Sequence, residues 1–343
     1  MGYLWSMSKS RRPDELDLEL VDVLQLNARA PWQDLAGALD VAPMTLARRW
    51  DRLTGEGLAW SSISVAAGAS QGAVLELDCA HGSALEIAQL LAQKPNVITV
   101  ALTSGDFGIY ALMLTTDLSR LPAALDRTIP EDRRILRSRV HVFGSILGGV
   151  TWREGIMSRQ QTEQVRPKPD SGASRESLLS VQDRPLFLEL AADARASYVA
   201  LADTLGTSAY AVKRRVGRLV RAGEIGFRCD IARPLFGYPT AAFLKLTVPD
   251  SNIRRFGSLA GAWKETRFCA EVTSAANMIL IVSVRSLEHL HNVLQRIHAA
   301  DSAIEVTDRR YILNQIKVYG RLLHPDGRPA GHVPVDPWFD VVT

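Results

Sequence analysis

Only three cysteines occur in the 343-residue chain, Cys79, Cys229 and Cys269, odd in number, widely spaced and without a CxxC pair. That pattern supports neither a disulfide framework nor a zinc site, so all three read as reduced structural thiols. No apolar run approaches the length of a membrane span, and 47% hydrophobic with 22% charged residues is a globular balance. A soluble, cytoplasmic protein without a membrane partner is expected. The start, Met1 to Met7 followed by Lys9, Arg11, Arg12 and Pro13, lacks the apolar core of a signal peptide; export is not expected, and Met7 reads as an alternative start. GxGxxG, Walker, GxSxG and HExxH sequences are missing, which removes the usual compact catalytic signatures. His289 and His291 stand two apart on a helical stretch and diverge, and His141 falls in a strand where a core or edge histidine is the plainer reading. No metal, no cofactor and no enzymatic activity are expected. The net charge of +3 is too small to announce a nucleic-acid binder.

What the chain does contain is a repeat. At an offset of 166, Ala28-Arg29-Ala30 recurs as Ala194-Arg195-Ala196, Leu35-Ala36 as Leu201-Ala202 and Leu39 as Leu205. Arg48-Arg49 recurs as Arg214-Arg215, Arg52-Leu53 as Arg218-Leu219, and Gly57 as Gly223, giving 11 gapless identities over residues 28–57. A duplicated unit is the economical explanation. Each copy is patterned as three short helices. Leu16, Leu20, Val23, Leu24, Leu35 and Leu39 follow helical spacing, with a polar break at Asn27 to Pro31. The third helix starts at Pro43, buries Leu46, Trp50 and Leu53, and turns Thr45, Arg48 and Arg52 outward. In the second copy Ser208 caps the helix, Val212, Val216 and Leu219 point inward, and Ala211, Arg214 and Arg218 point outward.

Three short helices with outward arginines on the third form a helix-turn-helix head, whose third helix can lie in a major groove. The candidate contacts to double-stranded DNA are Thr45, Arg48, Arg49 and Arg52 in the first head and Ser208, Tyr210, Lys213, Arg214, Arg215 and Arg218 in the second. The heads differ in charge: residues 184–233 hold nine Lys/Arg against five acids, residues 16–60 four against seven. The second head is therefore expected to bind more strongly.

After each head the period changes. Ala73 to Asp78 alternates as a strand, His81 to Ala92 is helical, Val97 to Thr103 and Ile109 to Leu114 are strands, Leu118 to Thr128 is helical and Ser138 to Ile146 is a last strand. The order βαββαβ is a ferredoxin-like unit. The second copy follows it from Ala241 to Val248 through Ile304 to Ile316. Ile109 to Leu114 and Met278 to Val282 are apolar at every position, so both faces of these strands are covered. The two α/β units are expected to pair with each other or with those of a second chain.

The third helices carry a motif that resembles the Lrp/AsnC family of regulators: Ala42-Pro43-Met44-Thr45-Leu46-Ala47-Arg48-Arg49-Trp50-Asp51-Arg52-Leu53 then Gly57, and Ser208 to Leu219 then Gly223. The resemblance spans about Leu16 to Lys317 as two copies. It implies DNA binding by the third helices, oligomerisation through the α/β unit, as a homo-oligomer or within one chain, and an amino acid or similar small effector near a Gly-Asp-Tyr/Phe-Asp turn. By that resemblance the effector residues are Thr103, Ser104, Gly105, Asp106 and Phe107, with Gly108 standing where the family has a second acid. In the second copy Ser274-Ala275-Ala276-Asn277 has lost the motif. The architecture also resembles sirohaem decarboxylases, which implies His141 and Arg139 beside a tetrapyrrole; that reading leaves the arginine faces without a use, as does a pure sensor.

The expected fold is α+β, two winged-helix or helix-turn-helix heads alternating with two ferredoxin-like units. Head one spans 14–66, α/β unit one 70–150, a Pro-, Gly- and Ser-containing flexible linker 151–177, head two 178–234, α/β unit two 238–320 and a tail 321–343. Lys9, Arg11, Arg12 and basic linker residues are expected to add phosphate contacts. The tail matches no motif and is expected to pack on the second α/β unit.

Overall fold

Asp14 and Asp17 cap one another at the start of the first helix, each carboxylate accepting from the other's backbone N–H at 3.0–3.1 Å. The computed structural model, which describes residues 13–66, 70–149, 153, 155–165 and 179–339, follows this box with α1 (Glu15–Leu26), α2 (Trp32–Leu39) and α3 (Pro43–Gly55). Pro43 occupies the first turn of α3, where its missing N–H costs nothing. Leu46, Trp50 and Leu53 are buried as the spacing predicts. Gly57, at φ +66°, takes the left-handed turn into β1 (Ala59–Val65).

The first α/β unit comprises β2 (Gln71–Cys79), α4 (Ala84–Ala92), β3 (Val97–Thr103), β4 (Ile109–Thr115), α5 (Leu121–Thr128) and β5 (Ile135–Phe143), followed by the short β6 (Ile146–Gly148) and α6 (Arg159–Val165). Head two repeats head one as α7 (Arg184–Ala192), α8 (Tyr198–Leu205), α9 (Ala209–Arg221) and β7 (Ile225–Ile231). The second α/β unit is β8 (Thr240–Thr247), α10 (Ile253–Gly261), β9 (Thr266–Glu271), β10 (Met278–Val284), α11 (Leu287–Ala300) and β11 (Glu305–Val318), with β12 (Arg321–Leu323) and β13 (Pro329–His332) after it. Both units have the expected βαββαβ order.

Strand register gives the repeat a second offset. Leu75 pairs with Ala111 and Val140, and Leu244 with Leu280 and Arg309, each 169 residues on. The shift from 166 to 169 lies between head and sheet: five residues join β1 to β2, whereas eight join β7 to β8.

The two sheets share one core. Antiparallel pairing of β3 with β11 joins them along one edge, and β6–β9 pairing with the Val142–Thr273 bridge joins them at the other. Alternate residues of the all-apolar β4 divide between two cores. Tyr110, Leu112 and Leu114 face the opposing sheet, while Ile109, Ala111 and Met113 face the unit's own helices. Tyr110 meets Phe243 at 5.3 Å between ring centroids, and Phe143 meets Phe268 at 5.6 Å, each pair crossing from one copy to the other. The covered second face is thus met within the chain.

Three expectations change. The strand after each head does not form a wing within that head: β1 and β7 pair antiparallel with each other, and all of β1 is buried. The described part of the linker is docked rather than loose. The buried Asp22 carboxylate accepts from the N–H groups of Gly155, Ile156 and Met157 at 2.9–3.0 Å, and Val165 joins the head-one core. The tail does meet the second sheet, through β12 on β11, but then continues to head two, where Trp338 stacks edge-on against Phe187 at 5.5 Å. Lys9, Arg11, Arg12 and linker residues 166–178 lie outside the described residues.

Candidate nucleic-acid interface and sensor cleft

The recurring Ala-Arg-Ala triplet, with no role in the sequence reading, turns out to join the heads. Arg29 donates to the carbonyls of Ala194 and Ala196, and Arg195 donates to those of Ala28 and Ala30. The same reciprocity governs the rings: Arg29 lies over Tyr198 at 4.5 Å and Arg195 over Trp32 at 3.9 Å, Trp32 and Tyr198 being repeat mates. In the β1–β7 ladder Ser62 faces its own mate, Arg228. A pseudo-twofold axis therefore runs through the head pair, the internal counterpart of an isologous dimer interface. Burial, and then Arg29, push Arg195 down to about 10, which leaves it charged at neutral pH. The signal was available in the sequence as an arginine kept in register outside the third helix.

The candidate DNA contacts separate into two sets. Arg49 donates to Asp14 and Asp17 at 2.7–2.8 Å, and its mate Arg215 to Asp183 at 2.6 Å, Asp183 being the mate of Asp17. These two arginines tie the third helix to the first, and hydrogen bonding by Asp14 and Asp183 respectively raises the pKa of each. Arg52 is partly committed in the same way, to Asp17 and to Glu56 at 3.6 Å. Thr45, Arg48, Lys213, Arg214 and Arg218 are exposed, as is Tyr210 at 73%. Among the described residues no ion pair holds Arg48, Lys213, Arg214 or Arg218. Ser208 is the cap of α9, accepting from Ala211 N at 3.2 Å. Among the described residues the second head thus presents three exposed cations free of ion pairs on α9, Arg214 of these lying 6.0 Å over the Tyr210 ring, and the first presents Arg48 on α3.

The proposed effector turn is equally divided. Gly105 takes φ +86°, Thr103 and Phe107 are buried, and Ser104 is tied to Tyr311 by bonds of 2.9 Å in both directions. Thr103 Oγ1 donates to the Phe107 carbonyl, and the Arg137 and Arg139 guanidiniums lie over the Phe107 ring. Gly105 and Asp106 are exposed. Asp106 stands on the rim of an open cleft of about 740 Å³ whose other lip is the degenerate turn Ser274–Ala276. Arg139, Arg309 and Arg310 line it with Lys245, His141 and Asp308.

Beneath the cleft lies a buried charge cluster. The Glu76 carboxylate, fully buried, accepts from Lys245 at 3.2 Å, touches Arg310, and sits 2.6 Å from His141 Nε2. Asp308 is 3.1 Å from both Lys245 and Arg310. At the offset of 169, Glu76 is the mate of Lys245, His141 of Arg310 and Arg139 of Asp308. The axis relating the sheets thus passes among residues that have diverged between copies. Burial, followed by the neighbouring Lys245 and Arg139, pushes His141 down to about 4, so it is neutral at pH 7 and donates to Glu76. Among the described residues no group of acidic, histidine or cysteine side chains could hold a metal, and no helix is long and apolar enough to cross a membrane.

Comparison with known proteins places the parts. A model of the AsnC-type helix-turn-helix domain matches residues 14–54 and again 179–220, and a model of the Lrp/AsnC ligand-binding domain matches 241–322. The HTH-type transcriptional regulator LrpA of Mycobacterium tuberculosis is 35% identical over 121 residues, which cover 34% of this chain and 78% of LrpA. A second HTH-type transcriptional regulator of that organism is 30% identical over 143 residues, 39% of this chain and 91% of its own length. Each of these relatives corresponds to between a third and two-fifths of this chain. The crystal structure of the sirohaem decarboxylase NirDL superimposes with a TM-score of 0.58, covering 88% of this chain and 91% of that one at 12% identity, a likeness of fold alone.

Proposed function

The chain belongs to the Lrp/AsnC family, and on that premise we propose that it is a DNA-binding transcription regulator whose two heads read one asymmetric site. The carrying observation is the reciprocal Arg29 and Arg195 lock, which holds two third helices as one bipartite reader within a single chain. An operator with identical half-sites suits two identical heads; these differ along the third helices, Thr45 against Ala211 and Ala47 against Lys213. The second head supplies most of the phosphate and guanine contact through Lys213, Arg214 and Arg218, with Arg48 contributing from the first. Arg49 and Arg215 act by positioning, since their guanidiniums are held by acids of the first helices. The α/β pair serves as the sensor for a small effector and as the joint between the copies.

Genome-wide mapping of bound DNA identifies the operator, and a gel-shift series on it tests the ranking. Arg214→Ala with Arg218→Ala is expected to weaken binding more than Arg48→Ala with Arg52→Ala, and to flatten the salt dependence by about two phosphate contacts. The reverse order, or no loss from either pair, overturns the assignment. An enzymatic reading would need His141 to act on a substrate, whereas it is 5% exposed and its Nε2 is held by Glu76. Sirohaem added to the protein is expected to leave its absorbance spectrum unchanged.

A further inference from the structure

Between the β7–β8 connection and the shared sheet core lies a cavity of about 330 Å³, away from the Asp106 cleft. Its wall combines Ile231, Ala241, Ile312 and Val318 with Trp60, Ser283 and Arg233. Trp60 and Ser283 are 5% and 1% exposed, and neither Trp60 Nε1 nor Ser283 Oγ has a hydrogen-bond partner in the structure. Buried donors without partners cost about 1–3 kcal/mol each, so a cavity that collects them favours an occupant with acceptors. Arg233 keeps an ion-pair distance of 3.8 Å to Asp230, beyond hydrogen-bond reach, and Asp230 accepts from Arg228 Nε and Nη2 at 3.0 Å. Arg233 and the orphan donors therefore border one space of mixed polar and apolar lining, with the Asp230 carboxylate, already held by Arg228, also in its wall.

The duplication supplies a control. Ser283 and Thr240 are mates of Leu114 and Gln71. Leu114 and Gln71 border the corresponding space in the first copy, which is reduced to about 130 Å³ with Trp338 of the tail in its wall. The β7–β8 connection, three residues longer than its counterpart, contains a 3-10 turn, Arg233–Phe236, and this turn brings Arg233 to the cavity. Where copy one carries a leucine and closes the space, copy two carries a hydroxyl and a cation.

We propose that this cavity is a binding site for a small carboxylate with an apolar body, its carboxylate on Arg233, Trp60 Nε1 and Ser283 and its body against Ile231, Ala241 and Val318. The volume suits a ligand of about six to ten heavy atoms. The site rests on the regulator reading only for its consequence: it touches both β7 of the head pair and β11 of the sheet core, so an occupant couples the two.

Titration calorimetry of the full chain with hexanoate and with phenylacetate, against hexan-1-ol as the uncharged control, tests the assignment. Saturable binding of the carboxylates but not the alcohol is expected, reduced about tenfold or more in Arg233→Gln. The Trp60 indole N–H resonance, assigned with Trp60→Phe, is expected to shift on binding. Ser283→Leu, which installs the side chain the first copy already tolerates in the same ladder position, is expected to abolish uptake while leaving the melting profile intact. No saturable binding, equal binding of hexan-1-ol, or loss on Asp106→Ala instead of Arg233→Gln overturns the site. Gel shifts on the mapped operator read the regulator function separately. DNA binding without carboxylate binding sinks this inference alone, and carboxylate binding without DNA binding sinks only the regulator reading.

Discussion

Replacing Glu76 by Gln removes the one fully buried anion that faces Lys245, Arg310 and His141. At 3.2 Å and an effective dielectric near 20, the Lys245 contact alone carries a gross attraction of about 5 kcal/mol. Most of that offsets desolvation, but deletion of one partner leaves the cations buried, a loss of about 3–5 kcal/mol for such sites. Asp308, 28% exposed and 3.1 Å from both cations, remains to screen them and lowers the expectation to about 2–4 kcal/mol. Urea denaturation at pH 7 measures it. The sharper comparison is a charge swap, in which Glu76→Lys and Lys245→Glu each destabilise alone by a similar amount and the double variant recovers at least half of the combined loss. A loss below about 1 kcal/mol for Glu76→Gln, or a double variant no better than the sum of the singles, refutes the view that this cluster joins the two sheets.

Acidification is a second test. His141 and His332 are both pushed down to about 4, by burial first and then by nearby cations, whereas the unfolded chain takes up these protons near pH 6.5. Stability is therefore expected to fall as pH drops from 6.5 towards 4, by at most about 3 kcal/mol for His141; a melting temperature flat across that window contradicts it. Arg29→Ala with Arg195→Ala is expected to lower affinity for the full operator at least tenfold while sparing single half-sites, read by fluorescence anisotropy. Burial raises the thiol pKa of all three cysteines, to about 12 at the fully buried Cys269, but Cys79 is only half-buried and so is the accessible one. Iodoacetamide is expected to modify Cys79 first in the native protein, with mass spectrometry as the readout.

The helices and strands were legible because each has a strong period. Leu46, Trp50 and Leu53 mark one face of α3, and the all-apolar β4 announced a covered second face without saying what covered it. Whether β1 pairs in its own head or with β7 is a long-range choice that Ile63-Ser64-Val65 cannot encode alone. The site was half legible. Outward spacing selected Arg48, Arg214 and Arg218, but Arg49 and Arg215 differ from them only in facing Asp14, Asp17 and Asp183, acids more than thirty residues away. Around the turn, Asp106 was identified by resemblance, while the Glu76, Lys245 and Arg310 cluster required the 169-residue offset that strand register revealed. Arg233 lies in the connection where the offset changes from 166 to 169, so a repeat comparison assigns it no single partner.

Two identical subunits meeting on a twofold axis must place the same residue there twice, so a charge at the axis meets its own copy. One chain carrying both halves escapes that constraint, and here the axis positions have become an anion and a cation, Glu76 and Lys245. A pairing of two first units would bring carboxylate to carboxylate, and of two second units ammonium to ammonium. The fused pair therefore associates at a rate and strength independent of protein concentration, and it resists exchanging halves with other chains of its kind.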